Sequence, residues 1–435
     1  MMNINREYRS KLLTPDAAIV RVKSGDTIVH GTSIAEPPAL LTALAERVRQ
    51  GGLSGLKIYS SLAMAYASRT VLSPDLSDCI ESYSWFANDA DRARHRVGLS
   101  YYVPTYLHQI PRLFSEYMDI DIVLTTVSPM DKHGYFTFGA VNDHPGAAAR
   151  NCQTLIVEVN KNMPRVLGDT LLHVSEVDLI VENHVPLLEV LVPDPVPEDD
   201  AIGRCVAGMI PDGATIALGI GSIPNAIGSQ LFNHHDLGIH TGTFTPVMVD
   251  LIEKGIVNGS KKNLHPRKHV FLLAQGTRRM YDFIHNNPSM ESRPASYTED
   301  PTVIASNDNM IAVSTVIEVD LTGQCNSEHL AGSQFSGTGG QVDFVRGAYN
   351  SRGGRSIQAF TATARKGTVS RIVPRLKSGT AVTIPRMDTH YLVTEYGAIN
   401  LKGKSTRDRA LGIIGLAHPD FRDSLLRAAE DMYLL

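Results

Sequence analysis

Ala217-Leu218-Gly219-Ile220-Gly221-Ser222-Ile223-Pro224-Asn225-Ala226-Ile227-Gly228 is an apolar strand that breaks into Gly-x-Gly and then opens a helix. Glycine lets the backbone turn sharply without a Cβ penalty, and proline is tolerated in a helical first turn. The turn aims free backbone N–H groups and a helix N-terminus at one point, where a phosphate, a carboxylate or a developing oxyanion can be held. Taken alone, the same turn serves equally as a tight-packing device. A dinucleotide fingerprint is excluded, because the residue three after Gly221 is Pro224 and no acidic residue follows in a ribose-binding context. Strand, glycine turn and helix form the repeating unit of an α/β fold.

The same unit recurs outward from this stretch. Asp26 to His30 reads as a strand running into Gly31-Thr32-Ser33-Ile34-Ala35-Glu36-Pro37-Pro38, after which Leu40, Leu41, Leu44 and Val48 recur at helical spacing. Leu56 to Tyr59, Ile120 to Thr125 and Leu155 to Val159 are further strands. The polar, proline-rich run from Val192 to Asp200 favours extended chain over packing. Beyond it, Ala201 to Ile210 is expected as a helix and Thr215 to Leu218 as a strand. A helix is expected from about Asn225, and Met310 to Val319, Ala381 to Ile384 and Tyr391 to Thr394 as strands. Both halves begin with strand, glycine turn and helix, which implies a duplicated plan: a first domain over 1–192, a linker over 193–200 and a second domain over 201–435.

With 435 residues and roughly 150 per domain as a guide, two large domains fit the length. Hydrophobic residues make up 43% and charged residues 20%, enough apolar side chain to fill two cores. Lys plus Arg count 41 against 45 for Asp plus Glu, so the net charge of -4 gives no footprint for nucleic acid or an anionic membrane. The four cysteines, Cys79, Cys152, Cys205 and Cys325, lack zinc spacing and do not read as a secreted disulfide framework. No signal-peptide core and no run of ~20 apolar residues is present, so a cytoplasmic protein is expected.

Two further segments bear on chemistry. Ser336-Gly337-Thr338-Gly339-Gly340-Gln341 suits a loop whose backbone approaches a ligand closely, or a wide turn. Arg365-Lys366-Gly367 places cations beside glycine ahead of a β-branched run, fit to meet a phosphate or to end a strand in solvent. His133, His173, His240 and His329 form no short-spaced ligand cluster, so no metal is expected. No G-x-S-x-G elbow supports a serine nucleophile.

The order and identity of these segments resemble the acetyl-CoA hydrolase/transferase family, especially its 4-hydroxybutyrate CoA-transferase branch. The resemblance is carried by Val127-Ser128-Pro129-Met130-Asp131-Lys132-His133-Gly134-Tyr135-Phe136, Glu158-Val159-Asn160, the Gly219 turn, Glu318-Val319-Asp320-Leu321-Thr322-Gly323-Gln324, the Gly340 loop, the Lys366 segment, Thr394-Glu395-Tyr396-Gly397 and Ala417-His418-Pro419-Asp420-Phe421-Arg422. It implies two similar open α/β domains with the active site in the cleft between them, and an enzyme moving CoA between an acyl-CoA and a free carboxylate. Four- or five-carbon acids such as 4-hydroxybutyrate, succinate or itaconate are the implied substrates. A homodimer is implied as well, with no cofactor beyond CoA itself.

Residue by residue, the resemblance implies that Gly219, Ile220, Gly221, Ser222 and Ile223 hold the thioester end of CoA. Ser336 and Gly340 would line the site, and Lys366 would meet a phosphate. It further implies a glutamate nucleophile after a His-Thr pair, passing through an acyl-glutamyl anhydride and a glutamyl-CoA thioester. This chain reads His240-Thr241-Gly242, and Gly242 carries no nucleophile. The replacement carboxylate should come from a loop at a strand C-terminus, where open α/β sheets place ligands. Glu36 is the nominee, against a helix-start role for the same side chain. The departure at position 242 keeps two other functions open: an acyl-CoA hydrolase on the same fold, and a non-catalytic CoA-binding subunit.

Overall fold

The computed structural model of the protein describes residues 4–435. The chain forms two compact units, each assembled from separated stretches. The first takes the chain up to Val190 together with Val270–Thr298 and Gln334–Gly339. The second takes Leu191–His269, Glu299–Ser333 and Gly340–Leu435.

In the first unit the strands are β1 (Thr27–His30), β2 (Leu56–Ser61), β3 (Ile80–Phe86), β4 (Ser100–Tyr102), β5 (Ile120–Val127), β6 (Cys152–Val159) and β7 (Leu179–Glu182). They lie in the order β4-β3-β2-β1-β5-β6-β7, and every neighbouring pair is parallel. Adjacent residues of β1 bury themselves on opposite faces: Ile28 packs with Leu40, Leu44 and Leu56, and Val29 with Val123, Leu155 and Val157. A sheet covered on both faces is what parallel strands with crossover helices require. Helix α1 (Pro38–Arg49) turns Leu40, Leu41, Leu44 and Val48 inward, the spacing the sequence anticipates.

The segment 270–298 completes this unit through backbone pairing. Asn142 N–H donates to the Leu272 carbonyl at 2.9 Å, Ala274 N–H to Ala140 at 2.8 Å and Ser292 N–H to Leu167 at 2.8 Å.

The second unit repeats the plan. Strands β8 (Thr215–Leu218), β9 (Gly238–Phe244), β10 (Met310–Ser314), β11 (Arg355–Ala359), β12 (Tyr391–Thr394) and β13 (Gly397–Asn400) lie side by side in the order β9-β8-β10-β11-β12-β13, within a sheet of eight strands. These five neighbouring pairs are parallel except the closing β12–β13 hairpin. The helix expected over Ala201 to Ile210 runs Pro197–Ala207, because Pro197 takes its first turn and Asp199 accepts the Val196 N–H at 3.2 Å. The proline-rich stretch therefore ends inside a helix. The strand expected over Met310 to Val319 is two strands, Met310–Ser314 and Glu318–Asp320. Ala381 to Ile384 yields a single bridge, Cys325 to Ile384, with Pro385 unable to extend it. Among the described residues no helix is long and apolar enough to cross a membrane.

Candidate active site

The carboxyl edge of the second unit's sheet gathers three of the segments picked out above. After Leu218 the chain turns through Gly219-Ile220-Gly221 into helix α2 (Ser222–Ser229). Gly221 has φ +129°, a backbone region that excludes ordinary side chains, so this position must be glycine. Gly219 N–H donates to the Val313 carbonyl at 3.3 Å, which moors the turn to the end of β10. Ile223 and Pro224 are buried while Ile220 is 40% exposed, so the turn itself faces outward.

On the other side of β8, Thr241 Oγ1 donates to the Leu218 carbonyl at 3.4 Å, placing the His240-Thr241-Gly242 run of β9 beside the turn. Across β10, the Gln341 amide donates to Ser314 Oγ at 2.9 Å and to the Thr315 carbonyl at 3.0 Å. That fixes the start of helix α3 (Gln341–Asn350), whose N-cap is Gly340.

Between Gly242 and Gly340 lies a residue that sequence reasoning missed, Glu299. A Cβ on Gly340 would collide with Glu299 Oε2, and a Cβ on Gly242 would collide with Oε1. Gly242 also faces Phe344, at 3.7 Å from the position its Cβ would take. The approach is set by helix packing. Gly347 of α3 lies against Ile304 and the Pro301 carbonyl, and the Pro301–Ala305 helix is capped by Asp300, which accepts the Thr302 N–H at 2.7 Å. Glu299 directly precedes that cap.

Glu299 is 2% exposed, and its Oε2 is buried with no hydrogen-bond partner. Burial holds its pKa well above the ordinary carboxylate range, and the nearby Asp343 carboxylate adds to the effect. A buried carboxyl that neither caps a helix nor pairs with a cation is costly to keep in a folded chain.

Lys366 stands exposed in the tip of a small hairpin whose strands are Thr363–Ala364 and Val369–Ser370. Ser336 belongs to the first unit's segment 334–339, where neighbouring Gly337 packs against the Trp85 carbonyl. Glu36, also in the first unit, is buried, and both its oxygens are engaged: Oε1 accepts the Met64 N–H at 2.5 Å and Oε2 the Ala67 N–H at 3.1 Å. It thus holds the short helix Ala65–Arg69 at its start, and burial pushes its pKa up to about 7 against the pull of those N–H groups.

Comparison with known proteins adds a lineage to this geometry. The acetyl-CoA hydrolase/transferase N-terminal domain matches residues 1–191, and the C-terminal domain of the same description matches 276–429. The 4-hydroxybutyrate coenzyme A transferase of Clostridium kluyveri is 41% identical over 96% of this chain and 97% of its own. The succinyl-CoA:cyclohexane-1-carboxylate CoA transferase of Geobacter metallireducens is 40% identical over 98% and 97%. Among solved structures, RipA from Yersinia pestis superposes with a TM-score of 0.97 at 48% identity, covering 100% of both chains.

Proposed function

The chain belongs to the acetyl-CoA hydrolase/transferase family, and from that premise we infer that it moves coenzyme A from an acyl-CoA to a free carboxylate. The observation that carries this reading is the Gly219–Ser222 turn. It presents the N-terminus of helix α2, whose first N–H groups have no partner within the helix, at the carboxyl edge of the second sheet, with the glycines at 242 and 340 alongside. An oxyanion forms each time a thioester or anhydride carbonyl is attacked, and oriented N–H donors stabilise it where water is excluded. Gly219 to Ile223 would cradle the thioester end of CoA, while Lys366 is free to meet a phosphate at the remote end. Binding energy from that remote end then helps drive the reacting end toward its transition state.

A short acid of four or five carbons, such as 4-hydroxybutyrate, succinate or itaconate, is the acceptor this reading favours. It needs no cofactor beyond CoA and extends to a cytoplasmic homodimer. The test is product analysis by mass spectrometry after mixing the protein with succinyl-CoA or acetyl-CoA and a panel of short carboxylates. A new acyl-CoA formed only when an acceptor is present supports transfer. Release of free CoA at the same rate without an acceptor would replace transfer by hydrolysis.

A further inference from the structure

We propose that Glu299 is the nucleophile of this enzyme, its carboxylate reaching, from a different strand connection, the space that a side chain at position 242 would enter. The proposal rests on the transferase reading above and names the residue that reading lacks. Three observations meet in it. Gly242 leaves a gap in the middle of β9, and Glu299 Oε1 fills it. Gly340 leaves a second gap, filled by Oε2. That oxygen is buried and makes no hydrogen bond, unlike both oxygens of Glu36. Glycine in a strand interior commonly marks a close approach by another group, and here the group is a carboxyl.

The chemistry balances without an added reactant. Ionised Glu299, its proton having gone to the medium, attacks the acyl-CoA carbonyl; the C–S bond breaks and CoA leaves as the thiolate with the electron pair, giving an acyl-glutamyl anhydride. The thiolate attacks the glutamyl carbonyl of that anhydride, the C–O bond breaks, and the donor acid departs as its carboxylate. A glutamyl-CoA thioester remains at Glu299. The acceptor carboxylate runs the two steps in reverse and restores the free glutamate. Covalent catalysis of this kind divides one poor exchange between weak partners into easier steps.

The experiment traps the thioester. The full-length protein is incubated with succinyl-CoA or acetyl-CoA alone, reduced with borohydride, digested and mapped by mass spectrometry. The expected result is a glutamate converted to its alcohol at position 299. Glu299→Gln should lose exchange by on the order of 10³-fold or more while keeping its circular dichroism and melting profile.

Because Glu299→Ala empties the space beside Gly242, the double variant Glu299→Ala with Gly242→Glu should regain part of the exchange and carry the modification at position 242 instead. A reduced glutamate found only elsewhere, at Glu36 for example, in a protein that does transfer CoA, would overturn the assignment to Glu299 and leave the transferase reading standing. Absence of both transfer and modification across the carboxylate panel would overturn the transferase reading itself.

Discussion

Two glycines far apart in the chain, Gly242 and Gly340, each leave room for one oxygen of the same carboxyl group. Such a fit makes the three positions interdependent. Gly340→Ala forces a Cβ into Glu299 Oε2, and overpacking in a filled interior costs about 1–3 kcal/mol. With Glu299→Ala in place the collision disappears, so the double variant should be more stable than the sum of the single changes by about 1 kcal/mol or more. Urea denaturation of the four proteins in the cycle measures that coupling, and additivity would mean that Glu299 does not occupy the niche.

At this scale the sequence was legible only in part. The Gly219 turn is a local pattern and could be read directly. Glu299 sits in Thr298-Glu299-Asp300-Pro301, which reads as an ordinary helix start, and its partners come from distant segments. The available signal was Gly242 itself: a glycine inside an expected His-Thr run implies that another group needs its space.

Elements in the first unit are tied to the sheet by buried acids. Glu158 on β6 accepts the Ala39 and Leu40 N–H groups at the start of α1, at 2.9 and 3.1 Å, as Glu36 does for the helix Ala65–Arg69. Burial is the larger effect at both, and each carboxyl is pushed up to about 7. Between the ordinary carboxylate range and that value the folded chain holds protons the unfolded chain has released, so stability falls as pH rises through the interval. Glu36→Gln and Glu158→Gln should therefore each flatten the decline in unfolding free energy between about pH 5 and pH 7, as read from chemical denaturation at a series of pH values. An unchanged slope would show that the two carboxyls titrate normally.

Gly221→Ala tests the turn in the second unit. At φ +129° a Cβ is strained, so acyl-CoA affinity measured by calorimetry should fall by tenfold or more, about 1.4 kcal/mol, with the sheet intact. Strand and helix positions near these turns were legible because hydrophobic periodicity and glycine punctuate them. The boundary at Pro197 was not, since a proline-rich acidic run suits both a linker and a capped helix start.

On the scale of the whole chain, the duplicated α/β plan follows from the repeated strand, glycine turn and helix, and the two parallel sheets confirm it. The exchange of segments does not follow from any local pattern. Val270–Thr298 and Gln334–Gly339 return to the first unit from beyond the proline-rich run, and only backbone pairing such as Asn142 to Leu272 reveals it. A fragment ending at Val190 lacks those backbone partners. It should show a non-cooperative melt and poor amide protection by hydrogen exchange, whereas a cooperative, well-protected fragment would mean that the returning segments are dispensable.

The claim that a carboxylate of the protein relays CoA is tested most directly by oxygen tracing. Acyl-CoA is turned over in ordinary water with an acceptor acid labelled in its carboxylate with oxygen-18, and the freed donor acid is analysed by mass spectrometry. The relay leaves an acceptor oxygen on the enzyme glutamate at the end of each cycle and passes it to the donor acid in the next, so the donor acid freed in the first turnover should be unlabelled and label should appear in it from the second turnover on. Label in the donor acid of the first turnover, as direct attack of the acceptor on the acyl-CoA would give, or no label in any turnover, as hydrolysis by water would give, would contradict the relay.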